Sequence, residues 1–159
     1  MTTRREVRER VMQALYAFEL GGGDAAHIIR TLLKPQLAED EAGLRFAETL
    51  FLRVLDRREE ADAIIATHTE NWDLSRIALI DRLLLRMAIT EMLAFEDIPP
   101  KVSINEAIEV AKRYSTEKSG KFINGILDAV LLDLQKNGRL KKSGRGLIGM
   151  ETLRDRVAS

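Results

Sequence analysis

The chain has 159 residues, 45% hydrophobic and 31% charged, which fits a single soluble domain with a sizeable core. It has no cysteine, which excludes disulfides and thiolate metal sites and fits the reducing cytoplasm. No apolar run approaches the ~20 residues of a membrane span, and the start lacks the apolar core of a signal peptide.

The charge balances overall but is distributed unevenly. There are 25 basic and 25 acidic residues, so the chain lacks the net positive charge typical of nucleic-acid-binding domains. Residues 1–10 nevertheless hold four arginines against two glutamates, and residues 112–121 hold four basic residues against one acid. Residues 136–146 hold five basic residues and no acid. These three stretches are the candidates for contact with a negatively charged partner.

Apolar spacing in the first half of the chain predicts helices, and no segment shows convincing strand alternation, so we expect an all-α fold. The first helix should run from about residue 4 to residue 20 and end at the glycines 21–23, which adopt a left-handed cap without steric cost. Asp24 predicts the N-cap of a short helix through Leu33. A long helical pattern then covers about residues 40–68, and we expect an interruption or kink within it.

The next break covers residues 71–75, where Trp72 should pack under a turn. Either Asp73 or Ser75 can cap the helix that follows. That helix, over about residues 75–93, is apolar on most sides, which predicts a position in the middle of a helical bundle.

Two amphipathic helices joined by a short basic link are predicted between residues 98 and 128. The prolines at 99–100 favour an extended approach. Ser103 and Glu106 then have the spacing of a capping box, which would start the first of these helices. The apolar stripe of the second helix begins with Phe122.

Gly125 lies inside that second helix, where glycine costs about 1 kcal/mol relative to alanine. It indicates either that another backbone packs close or that Asn124 and Gly125 leave room for a partner. After the last helix, glycines alternate with basic residues, which is typical of a mobile segment with one helical turn near residues 152–157. We therefore expect a single helical domain over residues 1–137 and a basic, flexible tail over residues 138–159.

The arginines at the start of the first helix are the first candidate site. Arg5, Arg8 and Tyr16 lie along one flank of the buried stripe, and Arg4 lies beside Arg8. Cations in a first turn oppose the helix macrodipole and cost about 0.3–1 kcal/mol each, so selection for stability alone would favour acids there. RNA phosphates would offset that cost, and Tyr16 could stack on an unpaired base. The alternative is a solvated helix end, partly balanced by two glutamates.

Catalysis and cofactor binding have little support in the sequence. His27 and His68 are far apart, and His68 with Glu70 does not make a metal motif, so a lone exposed histidine is the simpler interpretation. The glycines 21–23 are not followed by the lysine and hydroxyl residue of a phosphate-binding loop, and no G-x-S-x-G occurs. We therefore expect no enzyme activity and no cofactor.

Several stretches of the sequence resemble one known family. KVSINEAIEVAK followed by KFINGILD resembles the NusB family of bacterial transcription antitermination factors. RREVRERVMQALYAFEL resembles the arginine-rich first helix of that family, and NWDLSRIALIDRLLLRMAITEM resembles its central helix. The resemblance covers roughly residues 4–135. It implies two small helical bundles packed together and a non-enzymatic protein.

The resemblance also implies roles for particular residues. In the family, the loop and helix start that correspond to residues 118–121 lie beside the first helix and contribute to RNA binding. The predicted RNA-binding residues are therefore Arg4, Arg5, Arg8, Tyr16, Lys118 and Lys121. NusB proteins pair with NusE, a ribosomal small-subunit protein, through the second half of the fold. The candidate partner-binding residues are Asp81, Arg82 and Glu91, although from the residues alone they are surface charges on a mostly buried helix.

The implied function is to bind, with NusE, a single-stranded boxA element in ribosomal RNA leader transcripts, and so to help RNA polymerase resist termination. Related proteins occur as monomers or as homodimers that cover the arginine face. Two other functions fit the residues. One is a protein–protein adaptor whose arginines touch only acidic partners. The other is an RNA-binding module similar to that fused to certain ribosomal RNA methyltransferases, although the chain is too short to hold a methyltransferase as well.

Overall fold

The computed structural model describes residues 2–21, 23–69 and 74–158, and these residues form helices and turns without any strand. The all-α prediction is confirmed. The α-helices are α1 (Arg4–Gly21), α2 (Ala25–Ile28), α3 (Glu41–Asp56), α4 (Arg58–Ala66), α5 (Leu79–Ala94), α6 (Pro100–Tyr114), α7 (Glu117–Lys136) and α8 (Met150–Ala158). The chain divides into two compact units, Met1–Asp56 and Arg57–Ser159.

In the first unit, α1 packs against α3. Val7, Val11 and Leu15 of α1 are buried, and Phe18 meets Phe51 of α3 edge to face with 6.3 Å between the ring centres. Thr3 caps α1, because its Oγ1 accepts a hydrogen bond of 3.1 Å from the Glu6 backbone N–H.

The ends of the elements in this unit match the sequence predictions in most respects. α1 ends at Gly21, but neither Gly21 nor Gly23 has a positive φ, and Gly22 lies outside the described residues. Asp24 caps α2 by accepting a hydrogen bond of 3.1 Å from Ala26 N–H, and a π-helical turn continues the helix over Ile29–Leu33. The expected interruption after residue 40 lies between the end of α3 at Asp56 and the start of α4.

The second unit is built around α5, which packs against α4, α6 and α7. Every residue from 83 to 92 is buried, so the predicted position in the middle of a bundle is confirmed. The polar side chains of α5 are held by residues of the surrounding helices: Arg86 by Asp62, Asp81 by Ser119, and Glu91 by Ser103.

The predicted caps of α5 and α6 were wrong. α5 begins at Leu79 without a side-chain cap, Ser75 lies in a preceding 3₁₀ turn, and Asp73 and Trp72 lie outside the described residues. α6 begins at Pro100, because proline at the first helical position is already fixed in helical φ. Ser103 is therefore inside the helix, where its hydroxyl donates to Glu91 instead of capping.

The C-terminal segment is folded onto the second unit, so the prediction of a flexible tail was wrong. Lys142 Nζ donates hydrogen bonds to the carbonyl oxygens of Glu91 (3.1 Å) and Phe95 (2.7 Å) at the end of α5. Burial lowers the pKa of Lys142 to about 8, although the nearby Glu91 carboxylate opposes this shift. Further along, Met150 and Leu153 of α8 are buried, and α8 packs against α7.

Replacing Gly146 with alanine should detach this segment. Gly146 is buried against the loop between α5 and α6, where an added Cβ would overlap the carbonyl oxygen of Glu96 and lie 2.9 Å from its carbonyl carbon. The backbone cannot yield as a flexible side chain would, so we expect faster amide hydrogen exchange throughout α8. Gly125→Ala is the control, because nothing lies within 4 Å of its added methyl group and it should stabilise α7 by about 1 kcal/mol. Equal exchange in α8 of both variants would contradict the close contact at Gly146.

Candidate nucleic-acid interface

The first cationic surface is the start of α1. Arg4 and Arg5 occupy the first turn of the helix and are exposed. The guanidinium of Arg4 lies 4.4 Å from the centre of the Phe46 ring on α3, and that of Arg8 lies 5.3 Å from it. A cation over an aromatic face gains about 0.5–1 kcal/mol at exposed sites, so Phe46 helps to hold the arginine side chains in place.

Arg8 differs from the other two arginines because it is only 4% exposed. We expected it on the binding surface, but the structure places it beneath that surface, against Phe46. The exposed cations of the predicted group at the start of α1 are therefore Arg4 and Arg5. Phe46 itself was not among our candidates, since it lies about forty residues from them and no local pattern indicates the contact.

Tyr16 lies on the same helix as these arginines and is 38% exposed. It follows Arg5 by eleven residues, which is about 16 Å along a helix. Tyr16 is thus too far from Arg4 and Arg5 to act on the same nucleotide. Together they mark out a surface long enough for several nucleotides.

The second cationic surface is the start of α7 in the second unit. This helix begins at Glu117 rather than near Phe122, because Thr116 caps it by accepting a hydrogen bond of 3.1 Å from Ser119 N–H. Lys118 and Lys121 are therefore helical residues rather than part of a link, and both are exposed. Lys118 lies in the first turn, where the helix dipole and the free N–H groups attract anions.

Ser119 and Gly120 fix the position of this helix start. Ser119 Oγ donates a hydrogen bond of 2.8 Å to Asp81 Oδ2 at the start of α5. An added Cβ at Gly120 would lie 3.6 Å from the Ile108 side chain of α6 and 3.7 Å from that of Lys112, so α7 packs against side chains of α6 there. The helix start that carries Lys118 and Lys121 is thereby held by both neighbouring helices.

The three candidate partner-binding residues do not form an exposed group. Asp81 and Glu91 are 6% and 1% exposed, and each carboxylate accepts a hydrogen bond from a serine of a neighbouring helix. Arg82 is partly exposed and donates a hydrogen bond of 3.2 Å to the backbone oxygen of Leu74. This burial argues against direct contact between either carboxylate and a partner protein. Both acids instead tie α5 to the helices around it.

His68 is also more constrained than we predicted. It is mostly buried, and its Nε2 lies 2.9 Å from Asp133 Oδ2 of α7. Within the described ranges, no group of three histidine or acidic residues is arranged to hold a metal ion. None of the helices in these ranges combines the length and the apolar character required to cross a membrane.

Comparisons with known proteins agree on one family. The sequence matches the NusB family profile over residues 5–132. The transcription antitermination protein NusB of Salinibacter ruber is 56% identical over 159 residues, which is 100% of this chain and 99% of that protein. The structure of T. maritima NusB has a TM-score of 0.74 at 38% identity and covers 81% of this chain and 90% of its own.

A crystal structure of the antitermination factors NusB and NusE with double-stranded RNA has a TM-score of 0.73 at 24% identity. The match covers 80% of this chain and 94% of the other, and at that identity it shows a shared fold. The profile match extends over most of the chain, and the Salinibacter relative aligns along its whole length. The chain therefore belongs to the NusB family.

Proposed function

We propose that this NusB-family chain is a non-enzymatic transcription antitermination factor that binds RNA. The observation that carries the proposal is the pair of exposed arginines in the first turn of α1. Two cations at this position oppose the helix dipole, a cost of roughly 0.6–2 kcal/mol for the pair, and a bound polyanion reverses that cost. The exposed lysines of α7 supply a second surface of the same charge.

The finer part of the proposal concerns the RNA and its partners. With a NusE-type ribosomal protein, the chain binds a boxA-type single strand of ribosomal RNA leader transcripts and acts on RNA polymerase in the cytoplasm. Support comes from the structural neighbour in which NusB and NusE are bound to RNA, although that RNA is double-stranded. Single-stranded and duplex RNA should therefore be compared directly in any binding experiment.

Each predicted RNA-binding residue has a distinct task in this proposal. Arg4 and Arg5 hold phosphates, because a guanidinium offers several donors in a planar fork. Tyr16 offers an aromatic face to an unpaired base, and Lys118 and Lys121 bind phosphates at the second surface. Arg8 is buried against the Phe46 ring that also contacts Arg4, so it supports that ring and does not itself contact RNA.

Replacing Arg4 and Arg5 together with alanine should weaken RNA binding and flatten its salt dependence. Each lost phosphate contact on a single strand lowers the slope of log K against log salt concentration by about 0.7, so the double variant should lose about 1.4. Fluorescence anisotropy with a labelled boxA-type strand at several salt concentrations measures this slope. A duplex of the same sequence, titrated in parallel, tests the preference for single strands.

The control removes the same charge from the same unit at a distance from the start of α1. Arg30 and Arg53 are both exposed. Arg53 lies two residues from Phe51, whose ring meets Phe18 near the other end of α1, so replacing both arginines with alanine should leave the slope unchanged. If both double variants lose slope equally, the effect is one of net charge and α1 is not the binding surface. If Arg4 and Arg5 prove necessary for NusE and not for RNA, the chain is a protein–protein adaptor instead.

A further inference from the structure

A small cleft lies in the second unit between α6, α7 and α8. Its volume is about 150 Å³, and its edge carries the side chains of Asn105, Asn124, Thr152 and Arg156. Buried apolar residues, including Ile104 and Leu153, form its floor. The cleft has no place in the function proposed above.

The folding of the C-terminal segment creates this cleft. α8 begins next to the start of α6, where an added Cβ at Gly149 would lie 3.7 Å from Lys101 Cδ. Six residues into α8, the guanidinium of Arg156 makes two hydrogen bonds to the Asp128 carboxylate of α7, at 3.0 and 2.9 Å. Those hydrogen bonds hold the pKa of Asp128 below its usual value. The negative charge on this face of α7 is thus compensated by α8.

The cleft continues the cationic surface at the start of α7. Lys121, Asn124 and Asp128 are spaced three and four residues apart, so they share one face of the helix. Asp128 lies about 10 Å along the axis from Lys121. Between them, Asn124 and Gly125 are exposed, and an added Cβ at Gly125 would have nothing within 4 Å. The surface from Lys121 to the cleft is therefore open along α7.

We propose that the cleft between α6, α7 and α8 binds one unpaired base of the RNA strand whose backbone contacts Lys121. This inference rests on the proposed function and extends it to a second kind of contact. Lysine and arginine contacts to phosphate carry no sequence information, whereas a base held by its edge does.

The side chains of the cleft match the chemistry of a base. The amides of Asn105 and Asn124 each offer a donor and an acceptor, which is what the edges of an unpaired base require. The planar guanidinium of Arg156 can stack on the base, and the apolar floor contacts its face. Drug-sized ligands need pockets of about 300–1,000 Å³, and one water takes about 30 Å³ of liquid volume, so the cleft suits a single planar ring.

Replacing Asn124 with alanine tests the inference in the full-length protein. The probe is the same labelled boxA-type strand, and we expect about three- to tenfold weaker binding, the effect of one or two lost hydrogen bonds. Because asparagine is neutral, the salt slope should not change. Lys121→Ala should instead lower the slope by about 0.7. Asn137→Ala is the matched control, since this exposed asparagine lies at the end of α7, away from the cleft, and should bind as the unaltered protein does.

A second variant, Thr152→Trp, fills the cleft from the α8 side and should weaken binding to a similar extent. Circular dichroism of each variant confirms that the helices remain folded. The inference is overturned if Asn124→Ala and Thr152→Trp bind RNA normally while Lys121→Ala lowers the slope, and the proposed function then stands. If neither Lys121→Ala nor the Arg4 and Arg5 double variant alters the slope, the proposed function fails as well. If Asn124→Ala and Thr152→Trp lose NusE binding but bind RNA normally, the cleft holds a side chain of NusE instead of a base, and the inference is overturned.

Discussion

Replacing Asp62 with alanine is expected to destabilise the second unit by about 3 kcal/mol. Asp62 of α4 accepts two parallel hydrogen bonds from Arg86 of α5, Nε to Oδ1 and Nη2 to Oδ2, both 2.8 Å long. The Arg86 side chain is 7% exposed and that of Asp62 is 26% exposed. The alanine variant removes both carboxylate acceptors while the guanidinium stays in the core. Breaking a buried pair typically costs 3–5 kcal/mol, and the partial exposure of Asp62 favours the lower end of that range.

Urea denaturation followed by circular dichroism measures this change in the free energy of unfolding. Glu59→Ala is the control, because Glu59 is an exposed acid in the first turn of the same helix and should cost less than about 1 kcal/mol. Replacing Asp62 and Arg86 together with apolar residues should cost less than the two single changes added, because no charge then stays buried. Equal losses for Asp62→Ala and Glu59→Ala would show that the pair does not tie α4 to α5.

The parts of the fold that the sequence predicted correctly depend on local patterns. Apolar spacing alone identifies α1 and the buried α5, and the Asp24 cap depends on an N–H two residues away. The break between α3 and α4 was expected because the helical pattern is unusually long, but no local signal fixed its position at Asp56. These features can be predicted without knowing which helices pack together.

The errors arose where a residue is fixed by a distant part of the chain. Ser103 has the spacing of a cap, but Pro100 starts the helix earlier and the Ser103 hydroxyl donates a hydrogen bond to Glu91 of α5. The C-terminal segment has the composition of a flexible tail, yet Lys142 finds carbonyl acceptors some fifty residues back in the chain. Composition describes what a segment could do alone and cannot reveal a docking site elsewhere.

The candidate site residues show the same difference between features set by local sequence and features set by distant contacts. The exposure of Arg4 and Arg5 follows from residue type and from their position at a predicted helix start, whereas Lys118 and Lys121 were predicted in a link and became candidates only through the family resemblance. The burial of Arg8 depends on tertiary packing, and spacing along one helix could not reveal it. Charge at a helix start is thus a better guide to a surface site than charge on the flank of a helix.

Replacing Asp81 with lysine is expected to destabilise the second unit by about 4 kcal/mol. Asp81 is 6% exposed, and the change removes the acceptor for Ser119 Oγ. The change also places an ammonium group in the first turn of α5, where the helix dipole disfavours it. Thermal denaturation measures the loss. Glu117→Lys is matched in charge change and in first-turn position but is exposed, so it should cost less than about 1 kcal/mol.

Asp81→Asn then separates a positioning role from direct contact with a partner. The amide oxygen can still accept the Ser119 hydrogen bond and no charge is buried, so stability should change by less than about 1.5 kcal/mol. If Asp81 only holds the start of α7 in place, this variant binds NusE and RNA as the unaltered protein does. If the carboxylate itself contacts NusE, the variant remains folded but binds NusE at least tenfold more weakly, because a charged hydrogen bond at an interface typically contributes 1.5–3 kcal/mol. The burial of Asp81 and its hydrogen bond to Ser119 favour the first outcome, in which α5 fixes the helix that carries the proposed RNA-binding residues Lys118 and Lys121.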